Sequence, residues 1–422
     1  MPICGSQVTL CDLPIRYDTY VGCGHGCTYC FVSRKKNIDD IARGESAKGL
    51  RSFIDGKRTQ TTNWCDWDIP IHWGGLSDPF QPIERKEKRS LDALKVFAET
   101  GYPFVVSTKS TLISEEPYLS ILKQCNVVVQ FSACSPKFDA IEKGAATYAE
   151  RIRAASIIAP FKRVNIRIQP FIPLIAKDIY DAIPEYRNVG IHGIIVEGMK
   201  FTKPKFDCLV PHGKDYVYPV EILLQHFGQI KERAHSYGLK FYCGENRLRA
   251  MSDELCCCGI EGLGWKGNEA NLNHFLFDPA GVKFSENMQE VGTAECFVAS
   301  HQDTMSRIRL TKSSFADAMK EEAKKPYMFE NQRGGADYRS NQKCKSENIS
   351  GPLSIGPERV GRMSINTSEQ MGWPVTILAN RNGHSQLRKH MNDCGKFCRY
   401  QKRRICLTCS ASSISGPEYM AA

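Results

Sequence analysis

Residues 15–31 read IRYDTYVGCGHGCTYCF: a β-like run, Ile15–Val21, that breaks into a loop carrying three cysteines. The spacing is Cys-x3-Cys-x2-Cys, at Cys23, Cys27 and Cys30. Three thiolates this close on one loop cannot complete a four-cysteine site by themselves. They can hold three irons of a cubane cluster and leave the fourth iron open to chelate the amino and carboxylate groups of a bound cofactor. Glycines at 22, 24 and 26 let the backbone wrap tightly around an inorganic core. The competing reading is a zinc site with a fourth ligand from elsewhere, such as Cys11 or His25. Zinc sites usually come as two Cys-x2-4-Cys pairs, whereas this is a triplet with unequal gaps.

Outward from the loop, β-like runs alternate with helical patterns over the first 260 residues. The runs are Ile15–Val21, Ile69–Trp73, Pro103–Ser107, Asn126–Ser132, Val164–Pro170, Gly193–Glu197 and Leu239–Cys243. Helices are expected at Glu84–Thr100, Glu115–Gln124, Tyr148–Ala159, Asp178–Arg187 and Pro219–Tyr237. Such alternation specifies an α/β fold of parallel βα units, either a doubly wound sheet or a whole or partial barrel. Both place active sites at the carboxyl ends of strands. From Cys256 onward the rhythm stops and irregular structure is expected. The chain from Lys325 to Trp373 is polar, with long loops or partial disorder expected. We divide the chain into a core at 1–262, an extension of that core at 263–310, and a basic accessory region at 311–422.

The chain holds 19 cysteines in 422 residues, with no basic-then-apolar leader and no run of 18 apolar residues. A soluble protein in the cytoplasm is expected (the host cytoplasm if virus-encoded), without a membrane partner. There, clustered cysteines signal metal or redox chemistry rather than a disulfide framework. The net charge is +10, and residues 311–422 contribute 18 Lys and Arg against 10 Asp and Glu. That excess favours a polyanionic partner such as nucleic acid. The tail also carries Cys394-x3-Cys398 and, seven residues on, Cys406-x2-Cys409. Four thiolates at this spacing suit tetrahedral zinc or a second iron–sulfur cluster. Seven basic residues between Arg388 and Arg404 would let such a knuckle touch a phosphate backbone. A second group, Cys243 with Cys256, Cys257 and Cys258, reads as thiols or as a further metal site.

The cysteine motif resembles that of the radical S-adenosylmethionine superfamily. More narrowly, GCGHGCTYCF (22–31) and GGLSDPFQPIERKEK (74–88) resemble its spore photoproduct lyase-like branch, also called DNA repair photolyase-like. STKSTLI (107–113), VVVQFSA (127–133), EKGAATYAERIRAA (142–155) and IRIQPFIPLI (166–175) continue the likeness in order, over roughly residues 15 to 260. The resemblance implies a partial or full (βα) barrel, a 4Fe-4S cluster on Cys23, Cys27 and Cys30, and a one-electron donor such as flavodoxin or ferredoxin. It implies cleavage of S-adenosylmethionine to a 5′-deoxyadenosyl radical that removes hydrogen from an unactivated carbon. The expected substrate is a thymine-derived base in DNA, for lesion repair or for rearrangement of a hypermodified thymine. Radical modification of RNA, a peptide or a small molecule is the first alternative. A zinc-dependent nucleic-acid-binding protein without catalysis is the second.

By the same resemblance Tyr29 lies near the adenine, and Gly74 and Gly75 belong to the cofactor's amino-group motif, which here ends in Leu76 where Glu is common. Ser107, Lys109, Ser132 and Gln169, all at strand ends, are further candidate cofactor contacts. Lys109 is able to neutralise a carboxylate or a substrate phosphate, and Glu197, like Gln169, is placed to meet ribose or adenine. Asp78 either binds substrate or cofactor or makes an Asx turn before Pro79. Cys134 is the candidate for returning a hydrogen atom to the product.

Overall fold

The computed structural model describes residues 1–5, 8–32, 39–65, 69–212, 215–290, 295–299, 305–309 and 314–324. It begins with β1 (Ile3–Cys4), β2 (Ile15–Tyr17), a small antiparallel pair β3 (Tyr20–Val21) and β4 (Ala42–Arg43), and helix α1 (Ala47–Ile54). Then come β5 (Ile71–Trp73), α2 (Glu84–Glu87), α3 (Arg89–Thr100), β6 (Phe104–Thr108), α4 (Tyr118–Leu122), β7 (Val127–Ser132) and α5 (Tyr148–Ile158). Strand β8 (Arg163–Phe171), α6 (Ala176–Asn188) and β9 (Gly193–Gly198) follow. A three-stranded insert of β10 (Lys200–Phe201), β11 (Val210–His212) and β12 (Asp215–Val217) precedes α7 (Val220–Ser236) and β13 (Lys240–Cys243).

Eight of these strands form one sheet in the order β1-β2-β5-β6-β7-β8-β9-β13. The order follows the chain, and every pairing is parallel except β1 with β2. Strand order decides between the two architectures left open by the sequence. A doubly wound sheet reverses its order at a switch point; this one never does. Crossovers of one hand then put all helices on one face, and the sheet curls into a partial barrel.

Side chains alternate across each strand, and the two faces differ. Ile71, Trp73, Phe104, Val106, Val129, Phe131, Ile166, Ile168, Val196 and Phe241 point outward into the main core, with Phe53, Leu94, Phe97, Ile158, Ile183 and Phe227 of the helices. On the inner face Val105 and Val128 pack with Leu13, Cys258 and Ile260. The irregular segment after Leu255 therefore plugs the barrel interior. Its carbonyls receive polar groups from the strands: Gln130 and Asn165 donate to Cys258 O, and Arg163 donates to Gly259 O and Glu261 O.

Two expected elements divide in the structure. The run Ile15–Val21 breaks because the Asp18 carboxylate turns across to take the backbone N–H groups of Leu76 and Ser77. The helix expected at Glu84–Thr100 is interrupted at Lys88, whose φ of 53° lies in the left-handed region. Glu84 drives that break. Its buried carboxylate accepts from the N–H groups of Ser90 and Leu91 and from the Tyr118 hydroxyl, capping α3 as a separate helix.

Candidate active site at the carboxyl end of the barrel

The cysteine loop leaves β3 at the carboxyl end of the parallel strands and is tied down on two sides. From the turn after β5, Gln81 accepts from Gly24 N (2.7 Å) and donates to Gly22 O, which also accepts from Ser77 Oγ. From the segment before α5, Ile141 O accepts from Thr28 N, and Gly144 N donates to His25 O. Gly144 has to be glycine, since a Cβ there would stand 2.4 Å from Gly24 O.

His25, inside the motif, closes a buried ion pair with Asp78 (3.0 Å). Asp78 also accepts from Thr108 Oγ1, Lys109 N and Phe80 N. Burial opposes both charges, but each partner outweighs it, so the His25 pKa rises and that of Asp78 falls. Asp78 thereby locks the cysteine loop to the ends of β5 and β6; it does more than the local turn that its sequence Asp-Pro announces.

Cys23, Cys27 and Cys30 are half-buried and none is in a disulfide. Burial pushes the Cys23 and Cys27 thiols up to about 12, and mutual proximity adds to it: Cys23 senses Cys30, and Cys27 senses both. Thiols raised like Cys23 and Cys27 are protonated at neutral pH and give up the proton on binding a metal. Beside the loop, nothing lies within 4 Å of where a Gly26 Cβ would be. Among the described residues no three His, Cys, Asp or Glu side chains converge on one metal ion. A cubane places each thiolate on a separate iron, so its ligands need not converge. This donor set and the open space beside it fit such a cluster.

Behind the loop lies a buried charged group. Glu142 is fully buried; it accepts from the Tyr29 hydroxyl and the Arg151 guanidinium and forms an ion pair with Lys109 Nζ at 3.0 Å. Burial works against its ionisation, and Lys109 with Arg151 outweighs that, so its carboxyl stays below the usual range. Lys109 sits 5.6 Å from the Tyr29 ring centre, and Tyr29 meets Phe138 edge-on. Cys134, 1% exposed, borders this group; burial raises its thiol to about 11 while Lys109 pulls the other way.

The remaining candidates fall into two places. Gly74 has φ 89°, and a Cβ on it would meet Ser107 O at 2.6 Å; Gly75 borders the Arg16 side chain. Ser107 and Gln169 line the barrel interior. Ser107 Oγ donates to Gln130 Oε1 (3.0 Å), which also accepts from Arg167 Nη1 (3.0 Å), while Arg167 Nε donates to Gln169 Oε1 (2.5 Å). His72 Nε2 lies 3.2 Å from Ser107 Oγ, and Arg167 lies 3.8 Å from Glu197. The carbonyl of Ser132 accepts from Arg151 Nη1. Sequence reasoning missed His72, Gln130 and Arg167, three inward positions whose signal was a polar residue alternating within an apolar strand. It also missed Glu142 and Arg151. Cys394, Cys398, Cys406 and Cys409 lie outside the described residues.

No protein-family model matches the chain, and no curated protein matches it. Among solved structures it is similar to spore photoproduct lyase complexed with dinucleoside spore photoproduct, at 15% identity and a TM-score of 0.46, covering 55% of this chain and 77% of that one. It is also similar to Streptococcus suis SuiB bound to S-adenosylmethionine, at 11% identity and a TM-score of 0.42, covering 76% of this chain and 68% of that one.

Proposed function

We propose that this chain is a radical S-adenosylmethionine enzyme acting on a thymine-derived base in DNA, by lesion repair or by rearrangement of a modified base. The observation that carries the first part is the cysteine triplet: three half-buried thiols, none in a disulfide, on one loop at the carboxyl end of a partial barrel. Cys23, Cys27 and Cys30 would hold three irons of a 4Fe-4S cluster. With S-adenosylmethionine bound, that cluster supplies one-electron cleavage to a 5′-deoxyadenosyl radical able to remove hydrogen from carbon.

The chain's own residues contribute position and exclusion of water. His25 and Asp78 fix the loop against β5 and β6. Glu142 holds the Tyr29 hydroxyl, so the ring keeps one orientation beside the loop. Lys109 stays charged in a buried position next to that ring. Cys134, protonated and buried beside the same group, has the S–H bond required of a hydrogen donor. DNA as substrate draws support from the basic excess in residues 311–422 and from the motif's resemblance.

Replacing Cys23, Cys27 or Cys30 with Ala should abolish both the brown iron–sulfur absorption of anaerobically purified protein and S-adenosylmethionine cleavage. Normal cleavage by any one of the three variants would refute the assignment. For the substrate, deuterium on a thymine-derived base should appear in 5′-deoxyadenosine. Transfer from RNA, a peptide or a free metabolite, with none from DNA, would overturn the substrate class alone.

A further inference from the structure

The inner face of the barrel carries polar side chains on strands that are otherwise apolar: His72 on β5, Ser107 on β6, Gln130 on β7, Arg167 on β8 and Glu197 on β9. Low in the barrel this row is sealed, since Gln130 and Asn165 are fully buried and both donate to the plug carbonyl, Cys258 O. Nearer the carboxyl ends it is open, with 16% of the Arg167 side chain and 15% of the Glu197 side chain exposed. Gln130 aims Arg167 into that opening. Its Nε2 is spent on Cys258 O, so its Oε1 turns to the lumen and accepts from Ser107 Oγ and Arg167 Nη1. Arg167 Nε donates to Gln169 Oε1.

Two amide oxygens therefore hold the guanidinium and leave Nη2 facing Glu197 at 3.8 Å. An Arg–Glu pair that serves only the fold closes to roughly 2.8 Å; this one stops short of a hydrogen bond. Among the described residues the Glu197 carboxylate accepts no hydrogen bond, and no other cation lies within ion-pair distance of it. Gly244, just after β13, leaves it room: a Cβ there would stand 3.2 Å from Glu197 Oε2. Burial raises the Glu197 pKa against the pull of Lys200 and Arg167. The pair offers one N–H donor and one carboxylate acceptor side by side, open to the mouth of the barrel and each with bonding capacity to spare.

We propose that Arg167 and Glu197 hold the substrate by an edge that presents a ring C=O beside a ring N–H, the imide edge of a thymine-type base. Arg167 donates to the carbonyl and Glu197 accepts from the N–H; Gln130 and Gln169 are positioning residues for Arg167. A peptide bond is trans and turns its N–H and C=O to opposite sides, so it does not meet both groups at once. Adenine and cytosine carry no ring N–H on the corresponding edge. Guanine does, and the reading of a thymine-derived base in DNA, on which this inference rests, selects between the two. Glu197 is thereby assigned to the substrate rather than to the ribose or adenine of the cofactor.

The experiment is a ligand-observed NMR titration of the intact protein with thymidine and with 3-methylthymidine, whose ring N–H is blocked. Nucleosides carry no phosphate, so backbone contacts of basic residues elsewhere do not enter. Native protein should bind thymidine at least about tenfold more tightly, because the methylated form loses a hydrogen bond to a charged group. Glu197→Ala should erase that preference, since the acceptor is then missing for both ligands. Arg167→Lys should weaken both nucleosides alike, since both keep their carbonyls. Affinity for S-adenosylmethionine, read by equilibrium dialysis, should be unchanged in either variant. Native protein that binds the two nucleosides equally, or neither, would overturn the proposal even if the variants failed to fold. So would a Glu197→Ala protein that keeps the preference, or one that loses S-adenosylmethionine instead. Any of these results together with deuterium transfer from DNA would sink the pair and leave the substrate reading standing. The preference, without deuterium transfer from DNA, would keep the pair as an imide site and sink the DNA reading.

Discussion

Single side chains here decide stability through buried charge. Glu245, 5% exposed at the end of β13, takes both Arg247 Nε (2.9 Å) and Nη2 (3.1 Å). Burial opposes its ionisation, and Arg247, Lys200 and His212 outweigh it, lowering its pKa to about 2. A depressed carboxylate contributes stability above its unfolded pKa and loses it as pH falls through the folded one. Glu245→Gln should therefore cost about 3 kcal/mol at neutral pH. The deficit should shrink below about pH 4.5 and vanish near about pH 2, as read by urea denaturation across that range. Gly74 and Gly75 form a second test. Gly74→Ala brings a Cβ to 2.6 Å from a backbone oxygen at φ 89°, so it should cost about 2 kcal/mol or more. Gly75→Ala meets only the Arg16 side chain at 3.4 Å and should cost less than about 1 kcal/mol. Equal losses in thermal melts would show that the pair acts only as a flexible turn. The glycine pair stood out in the sequence, but which of the two is constrained depends on Ser107 and Pro79, which the chain brings there by folding.

Secondary elements were largely legible because their signals are local. All seven expected runs have strands at their positions, and all five expected helical segments contain helix. The short helix α1 was not foreseen, nor were β1, β4 and the β10–β12 insert. Where irregular structure was expected after Cys256, the described residues hold helices at Leu272–Phe277, Glu286–Glu290 and Phe315–Ala323 and an antiparallel pair, Glu295–Ala299 with Met305–Arg309. Elements this short carry little periodicity. The break at Lys88 is a further instance, since Glu84–Thr100 has helical character throughout. The break comes from Glu84 turning inward to cap α3 and to meet Tyr118, 34 residues away. A non-glycine residue in the left-handed region is strained. Lys88→Gly should therefore stabilise the fold by about 1 kcal/mol, raising the denaturant midpoint with an unchanged slope. A loss of stability would mean that the lysine side chain contributes more than its backbone costs.

At the scale of the whole molecule, no helix of the described residues is long and apolar enough to cross a membrane. The basic excess lies in the last quarter of the sequence. Removing the residues after Trp373 should leave S-adenosylmethionine cleavage without DNA largely intact. It should flatten the slope of log DNA affinity against log salt by roughly one unit per lost phosphate contact. An unchanged slope in a salt titration would place those cations away from the nucleic acid. By itself the sequence determined the cysteine triplet and the strand–helix rhythm, because motif spacing and periodicity are properties of neighbouring residues. Only the tertiary structure decided that the sheet is wound in one direction, since strand order depends on which strands pair. Only it drew Glu142 to Lys109 and Arg151, and folded the Cys256–Cys258 segment back inside the barrel. A charge or a thiol on a single chain reads as solvated surface until the fold closes over it. Burial and a partner brought from far along the chain then turn a charge into a buried ion pair.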